Sequence, residues 1–480
     1  VKWSRIILLL IAVFWLVFYL LIRNDPFFGD AISSVSRAAL LIFDSNFSTI
    51  KYPDGYDPGH PVLIPLLYAL FWKVFGMSLP ISHLLNMLFS IGIMAIVWNW
   101  AKEFMNREVG ILAILLLSAT PLFLAQSAMM NTHLPLAFFF IWAAFELKKE
   151  RYITFGIVTS FMMLVHLQAV FYLVVLLIWS LILLSNLSIR GLIKTGIRFL
   201  PAVLIFALWV FYHYSISGWA LSSPDYAAHR GSPGPKGILI NLILSDWRIV
   251  DYGQIALFIF PMIALFGVGK SFGRKSVFTW FLIAYLFNAL LISVTTTTGP
   301  AHRYFLPCLP LLVLACAEEL KEKVTWKHLL VFGLLLSGNF WFYPGKIVGD
   351  ATLQYRSTFS LLEEIFEEVG DSEIHSFAPL GNISRSMYLN DNTGTLSSLY
   401  GQNFGEQVYI LYGNVSGDFS TDELEYLAKN WYGNSYESGR IWLNLYSNPL
   451  MVEKNEKWKL REKSKGEIWM ENLKKRIRSN

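Results

Sequence analysis

The chain has 480 residues, of which 55% are hydrophobic and only 15% charged, with a formal net charge of +5 and a mean hydropathy of +0.47. An average soluble domain is about 25% charged, so there is too little charge here to cover a water-facing globule of this size. That excludes a soluble enzyme, a disordered scaffold and a secreted disulfide mini-protein, and leaves a multi-span membrane protein with a polar tail.

A spanning helix needs about 20 apolar residues. Candidate spans run over 5–22, 80–100, 109–126, 132–147, 153–166, 168–185, 198–215, 252–269, 277–294, 304–320 and 328–343. The first has no small-residue cleavage site and reads as a retained span rather than a removable signal. Loop charge sets the orientation, because Lys and Arg accumulate on the cytoplasmic side. With the N-terminus inside, 16 basic residues fall in short inner segments, from Lys2 and Arg5 to Lys321, Lys323 and Lys327, against 8 in longer outer ones. Eleven spans then leave the tail outside. The scheme requires 61–76 (PVLIPLLYALFWKVFG) to lie at the outer interface or dip back, since a crossing there would invert every later loop.

The first outer segment, 23–79, is long enough to suggest function rather than linkage. In 216–251 a GSPGPKG hinge precedes an apolar stretch, which suits either a flap over a site or a plain exposed connection. Cys308 and Cys316 share one apolar run, too far apart on a helix to bridge and too few for a zinc site. Residues 1–345 hold 24 basic and 15 acidic residues, whereas 346–480 hold 15 and 19. The basic excess belongs to the membrane part, so nucleic acid is a poor explanation for it. The tail, 346–480, reads as a small extracytoplasmic α/β domain long enough for its own core. Helices are expected over 351–369 and 421–431, with Thr421 placed to cap the second. Strands are expected over 406–412, 439–446 and 466–470. The final KKRIRSN reads as a solvated or headgroup-touching end.

Ionisable residues at the outer membrane face are informative, because burial there is costly without a partner or a purpose. That face gathers Asp25, Asp30, Asp54, Asp57 and His60 in the first segment, then His133, His166, and His302 with Arg303. They come from distant parts of the chain and fall on one side of the membrane.

The ordered pieces FFGDAISSVSRAALLIF, YDPGHPVLIPLLYALFWKVFG, SATPLFLAQSAMMNTHLPLAFFFIWAAFEL and HRYFLPCLPLLVL resemble the C-type (GT-C) membrane glycosyltransferases. The likeness is to the branch of protein O-mannosyltransferases and lipid A aminoarabinose transferases, and it covers roughly 20–345. It implies an all-α polytopic fold with a long first outer loop holding interfacial helices. It implies inverting transfer of a sugar from a polyprenyl-phosphate donor to a glycan, lipid or protein acceptor on the outer face. By the same resemblance Asp30 takes the place of the essential early acid, the carboxylate that takes or orients the acceptor proton. Arg303 is the expected phosphate partner, since a guanidinium grips two oxygens at once. His60 and His302 stand second for that role, and Asp57, Asn131, His133 and His166 are acceptor-side or supporting candidates. The chain departs from the pattern at NTHLPL, where many relatives carry an acid, and at PGHP, where they often carry Pro-Pro or Glu-Lys-Pro-Pro. No metal ligand is assigned: monophosphate donors can react without one, the scattered acids show no ligand spacing, and a divalent cation stays open.

Each candidate has a plainer reading. Asp30 suits a loop acid or a helix cap near Ala31, and Asp57 an Asx turn before Pro58-Gly59. His60, His133 and His166 suit interface or turn positions, and Arg303 suits snorkelling to headgroups. Asp246 and Arg248 beside Trp247 suit an aromatic-belt anchor. The rival classes are a transporter or lipid flippase, which predicts mid-span charges and two related halves, and a catalytically inert member whose tail binds a partner.

Overall fold

The computed structural model describes residues 2–29, 31–183, 188–221, 223–224, 231–266, 276–297, 299–321, 325–341, 350–370, 372, 374–376, 393–395, 409–414, 421–438, 441–453, 455–462 and 465. They form two compact units. One comprises Val1–Arg23 with Ala38–Asn339, the other Asn24–Arg37 with Phe340–Asn480.

The first unit is helical throughout: α1 (Lys2–Ile22), α2 (Arg37–Asp44), α3 (Leu63–Phe75), α4 (Leu79–Phe104), α5 (Arg107–Ala119), α6 (Pro121–Ala128), α7 (His133–Lys148), α8 (Tyr152–Met163), α9 (Ala169–Leu183), α10 (Ile189–Ser217), α11 (Gly234–Val250), α12 (Ala256–Phe266), α13 (Val277–Thr295), α14 (Leu309–Glu319) and α15 (Trp326–Gly338). Each expected span overlaps one of these helices, and 109–126 overlaps two, α5 and α6, because a long apolar run in hydrocarbon must satisfy its own backbone. Among the described residues, four helices are long and apolar enough to cross a membrane, or five if the bent pair α5–α6 counts as one span. The eleven-span scheme is thus a count of apolar runs, several of which form helices of 10–17 residues.

Polar side chains set the helix ends. Ser78, Asn106, Ser188 and Ser276 each accept a backbone N–H from the first turn of α4, α5, α10 and α13, which removes an orphan donor. Pro121 ends α5, and the axis turns by 67° into α6. Asn86 in α4 donates to the carbonyls of Gln126 (3.1 Å) and Ser127 (2.6 Å) at the end of α6. Those acceptors would otherwise be buried without a donor. Leu9, Leu10, Leu16 and Leu21 of α1, with Leu204, Leu208 and Phe211 of α10, form exposed apolar faces. Faces of that kind suit hydrocarbon contact.

The stretch 216–251, read as flap or connection, contains α11 docked on α13. Asn241 donates to the carbonyl of Thr296 at 3.0 Å, and Tyr285 donates to Asp246. Arg248 donates to the carbonyl of Pro300 at 3.3 Å. Asp246 and Arg248 therefore make specific bonds to the neighbouring chain rather than only flanking Trp247.

In the second unit a sheet runs β2-β1-β3-β5-β4, with β1 (Ile374–Ser376), β2 (Thr393–Thr395), β3 (Tyr409–Gly413), β4 (Tyr432–Ser438) and β5 (Ile441–Ser447). The β1 pairs are parallel and the β3–β5–β4 meander is antiparallel, with Leu411 opposite Leu445. Helices α16 (Ser357–Val369) and α17 (Thr421–Asn430) accompany it. Ile410, Leu427, Trp431 and Tyr446 form a core with Tyr412, Leu424 and Leu460. The expected strands at 406–412 and 439–446 correspond to β3 and β5. The short β1 and β2 and the polar β4 gave no apolar alternation to read. The expected strand at 466–470 and the KKRIRSN end lie outside the described residues.

One boundary differs from the sequence reading. Asn24–Arg37, placed there with the membrane part, groups with the tail.

The tail carries buried phenols. Tyr436 donates to Glu368, and burial together with that bond pushes its hydroxyl above the usual value of about 10. The fold thus favours the protonated phenol, so its contribution is full below the unfolded value and is lost as pH rises through the folded one. Tail stability is expected to fall above about pH 10, less steeply in Tyr436→Phe, measured as apparent Tm against pH.

Candidate functional site

The loops between the helices bring three histidines together. His60 precedes α3, His133 opens α7 and His166 lies between α8 and α9. The His60 and His166 rings have centroids 3.7 Å apart, and His133 and His166 lie 4.8 Å apart. Tyr304, in the tight turn His302–Cys308, stacks on His133 at 5.3 Å. The Arg303 guanidinium lies 5.5 Å from the Tyr304 ring. His133 and His166 are buried, while His60 and Arg303 are half-buried.

Each ring is held by its local chain. His166 accepts the Gln168 backbone N–H on Nδ1 at 3.0 Å, so a neutral ring carries its proton on Nε2 and presents a donor there. Asn131 accepts the His133 backbone N–H at 2.9 Å and donates to Gln126 at 2.6 Å. Both ends of that amide are therefore used in placing His133 at the start of α7. Asp57 accepts the Gly59 N–H at 2.7 Å, the Asx turn expected from Asp-Pro-Gly, and Gly59 has φ +71°, a conformation glycine adopts without strain. The other Asp57 oxygen lies 2.9 Å from His213 Nε2, while His213 Nδ1 lies 3.0 Å from the Trp219 carbonyl. A carboxylate and a carbonyl are both acceptors, so each ring nitrogen of His213 has an acceptor within hydrogen-bond distance. The turn that delivers His60 is thereby tied to the end of α10.

Tyr304 is fixed through its carbonyl. Gln168 Nε2 (2.8 Å), Asn288 Nδ2 (3.1 Å) and the Tyr172 hydroxyl (3.1 Å) all donate to it, and Gln168 also donates to Asn288 Oδ1 at 2.8 Å. Gln168→Leu removes two of these bonds and leaves a buried acceptor short of a donor. The expected cost is about 1–3 kcal/mol, read as a lowered apparent Tm of the purified protein.

His302 does not join the three histidines. It is fully buried, with Nε2 3.0 Å from Asp251 Oδ2, and Asp251 also accepts the Tyr252 N–H at 2.7 Å. The pair ties the start of the turn that carries Arg303 to the residue that follows α11. Gly253 and Gly338 let two backbones meet there: a Cβ on Gly338 would stand 1.8 Å from the Tyr252 carbonyl oxygen.

The structure therefore gathers His60, His133 and His166, with Tyr304 stacked on His133 and Arg303 beside Tyr304 in the chain, and gives Asp57 and Asn131 positions that hold the turns carrying His60 and His133. Asp30 lies outside the described residues. Among the described residues, no group of three or more His, Cys, Asp or Glu is disposed to hold a metal ion. Tyr304, Gln168, Asn288 and His213 are among the contributors that escaped the sequence reading, with Tyr172 and Asp251. The first three carry no charge and gave no signal, whereas His213, an ionisable residue near the end of an apolar helix, met the criterion that singled out His60.

Residues 59–215 match the model of the dolichyl-phosphate-mannose-protein mannosyltransferase family, a stretch holding His60, His133 and His166. No curated protein matches the sequence. The crystal structure of ArnT from Cupriavidus metallidurans bound to undecaprenyl phosphate is similar over 92% of this chain and 98% of its own, with TM-score 0.58 and 10% identity. The apo state of ArnT from the same organism is similar over 94% and 99%, with TM-score 0.54 and 10% identity. At that identity the likeness to ArnT is one of fold. The chain is an integral membrane protein that resembles the C-type glycosyltransferases, in sequence over the matched stretch and in fold along nearly its whole length.

Proposed function

We propose that the chain is an inverting glycosyltransferase that moves a sugar from a polyprenyl-phosphate donor to an acceptor on the outer face of the membrane. The observation that carries this reading is the convergence of His60, His133, His166 and Tyr304 from four stretches onto one cluster, with Arg303 next to Tyr304 in the chain. It is supported by a fold shared with a protein crystallised with undecaprenyl phosphate. The loop charges favour a cytoplasmic N-terminus, which puts the cluster and the tail on the outer side.

In this reading the acceptor oxygen attacks the anomeric carbon as its bond to the phosphate oxygen breaks. The bonding pair leaves with the lipid phosphate, the acceptor proton passes to the Asp30 carboxylate, and the configuration inverts. Arg303 meets the charge growing on the phosphate with two N–H donors, and His60 and the Nε2–H of His166 add further donors. His133 and Tyr304 wall the cluster, while Asp57 with His213, Asn131, and His302 with Asp251 hold the rings and the guanidinium in place. The acceptor is a glycan, lipid or protein hydroxyl.

The test offers purified protein in nanodiscs a panel of labelled polyprenyl-phosphate sugars with membrane extract as acceptor. Label passing from one donor to an acceptor supports the reading. Movement of an intact lipid-sugar across sealed proteoliposomes, with no label transferred, supports a flippase instead.

A further inference from the structure

Between α8 and α10 the first unit carries a groove of about 590 Å³, within the range of about 300–1,000 Å³ common to ligand pockets. Ile153, Ile157 and Phe161 of α8 and Ile197, Pro201 and Ile205 of α10 line it. Gly156 is buried where the two helices approach, and a Cβ there would lie 3.5 Å from Pro201 Cγ. The Ser160 hydroxyl is turned into its own helix, donating to the Gly156 carbonyl at 2.8 Å. The lining is open on its outer side, with Ile153 83% and Ile197 61% exposed. On a membrane bundle an open apolar groove of this kind meets acyl chains.

One end of the groove holds a cation. The Arg198 guanidinium lies 3.2 Å from the centre of the Tyr152 ring, and both residues are half-buried and line the groove. Stacking uses the flat face of the guanidinium and leaves its N–H edge open. Among the described residues the Arg198 side chain makes no hydrogen bond or ion pair. A fork able to grip two oxygens therefore stands at the groove with no protein acceptor on it. Arg190 and Lys194 precede Arg198 at four-residue steps, which puts three bases on one face of α10, and 188–198 contains no acid. His166 follows the opposite end of α8, a helix of 12 residues and about 18 Å. The basic end of the groove is thus remote from the histidine cluster.

We propose that the groove between α8 and α10 binds an anionic phospholipid, with its phosphate on Arg198, the charges of Lys194 and Arg190 beside it, and one acyl chain lying along the groove. Basic clefts between membrane helices are a recurrent form of anionic-lipid site. A zwitterionic lipid brings an ammonium group up against three bases, so the site selects for net negative charge. This site is separate from the donor phosphate assigned to Arg303 and does not rest on the glycosyltransferase reading.

The test uses the purified full-length chain, delipidated in detergent. Phosphatidylglycerol and phosphatidylcholine with identical chains are titrated in, and bound lipid is counted by native mass spectrometry beside apparent Tm. Phosphatidylglycerol is expected to bind about 10-fold more tightly than phosphatidylcholine and to raise Tm. Arg198→Gln is expected to lose about 10-fold or more of the phosphatidylglycerol affinity. Arg198→Lys keeps the charge but loses the fork, so it falls between. Ile157→Trp fills the groove, leaves all three bases and weakens binding of both lipids. Lys102→Gln removes an exposed base at the end of α4 and changes neither. A lipid-free Tm matching the wild type separates lost binding from lost fold, and if Arg198→Gln fails that check, Arg198→Lys and Ile157→Trp decide. Equal affinity of the wild type for the two lipids overturns the proposal. So does unchanged phosphatidylglycerol binding in Arg198→Gln, an equal loss in Lys102→Gln, or displacement of the lipid by soluble glycerol phosphate, which would make Arg198 a site for a soluble anion.

Discussion

Asp30→Asn is expected to lower sugar transfer by about two to four orders of magnitude, the span that general-base assistance contributes. Asparagine keeps the shape and one carbonyl acceptor but cannot take up the acceptor proton. Donor KM is expected to stay near the wild-type value, because in the proposed reaction the carboxylate acts on the acceptor hydroxyl and not on the lipid phosphate. Steady-state kinetics at saturating acceptor separate the two constants. A substitution that raised KM and left kcat intact would place Asp30 in donor binding instead.

The second large effect belongs to Arg303. Arg303→Ala removes the guanidinium next to the Tyr304 ring that stacks on His133, and with it the donor that the proposed reaction assigns to the departing phosphate. Removing one such preorganised donor costs about 100- to 1,000-fold in rate, and the loss should fall on kcat/KM as well as kcat because the same oxygens are gripped before and during bond breaking. Arg303→Lys restores the point charge but not the planar fork, so partial recovery is expected. Binding of polyprenyl phosphate to each variant, measured beside turnover, checks the assignment. Wild-type affinity together with wild-type kcat in Arg303→Ala would return this residue to an anchor at the headgroups.

The helices were legible because apolar runs are long and the capping residues sit where the runs begin, as Ser78 and Asn106 do. His60, His133 and His166, whose rings the fold brings together, were marked in the sequence by one physical rule: ionisable groups at the ends of apolar helices are expensive and need a reason. The same rule marked His302, and nothing in the chain told whether its ring would face the cluster or turn to Asp251. Their pairing at 3.0 Å spans 51 residues and is a product of packing. Neutral supports such as Gln168 and Asn288 act through hydrogen bonds across 136 and 16 residues to the Tyr304 carbonyl, and no local pattern encodes such bonds. The grouping of Asn24–Arg37 with the tail was hidden for the same reason, since Asp25 and Arg356 lie 331 residues apart. Asp57 shows the converse. Its local motif foretold the Asx turn, and only the fold added His213.

The central claim is chemical transfer from a lipid-linked sugar. The most direct test is the release of free polyprenyl phosphate from a polyprenyl-phosphate sugar by purified wild-type protein in nanodiscs with acceptor present. The account predicts one polyprenyl phosphate released for each sugar transferred, with release lost in Asp30→Asn and strongly reduced in Arg303→Ala. Binding of the lipid-sugar with no release of polyprenyl phosphate across the donor panel would contradict it.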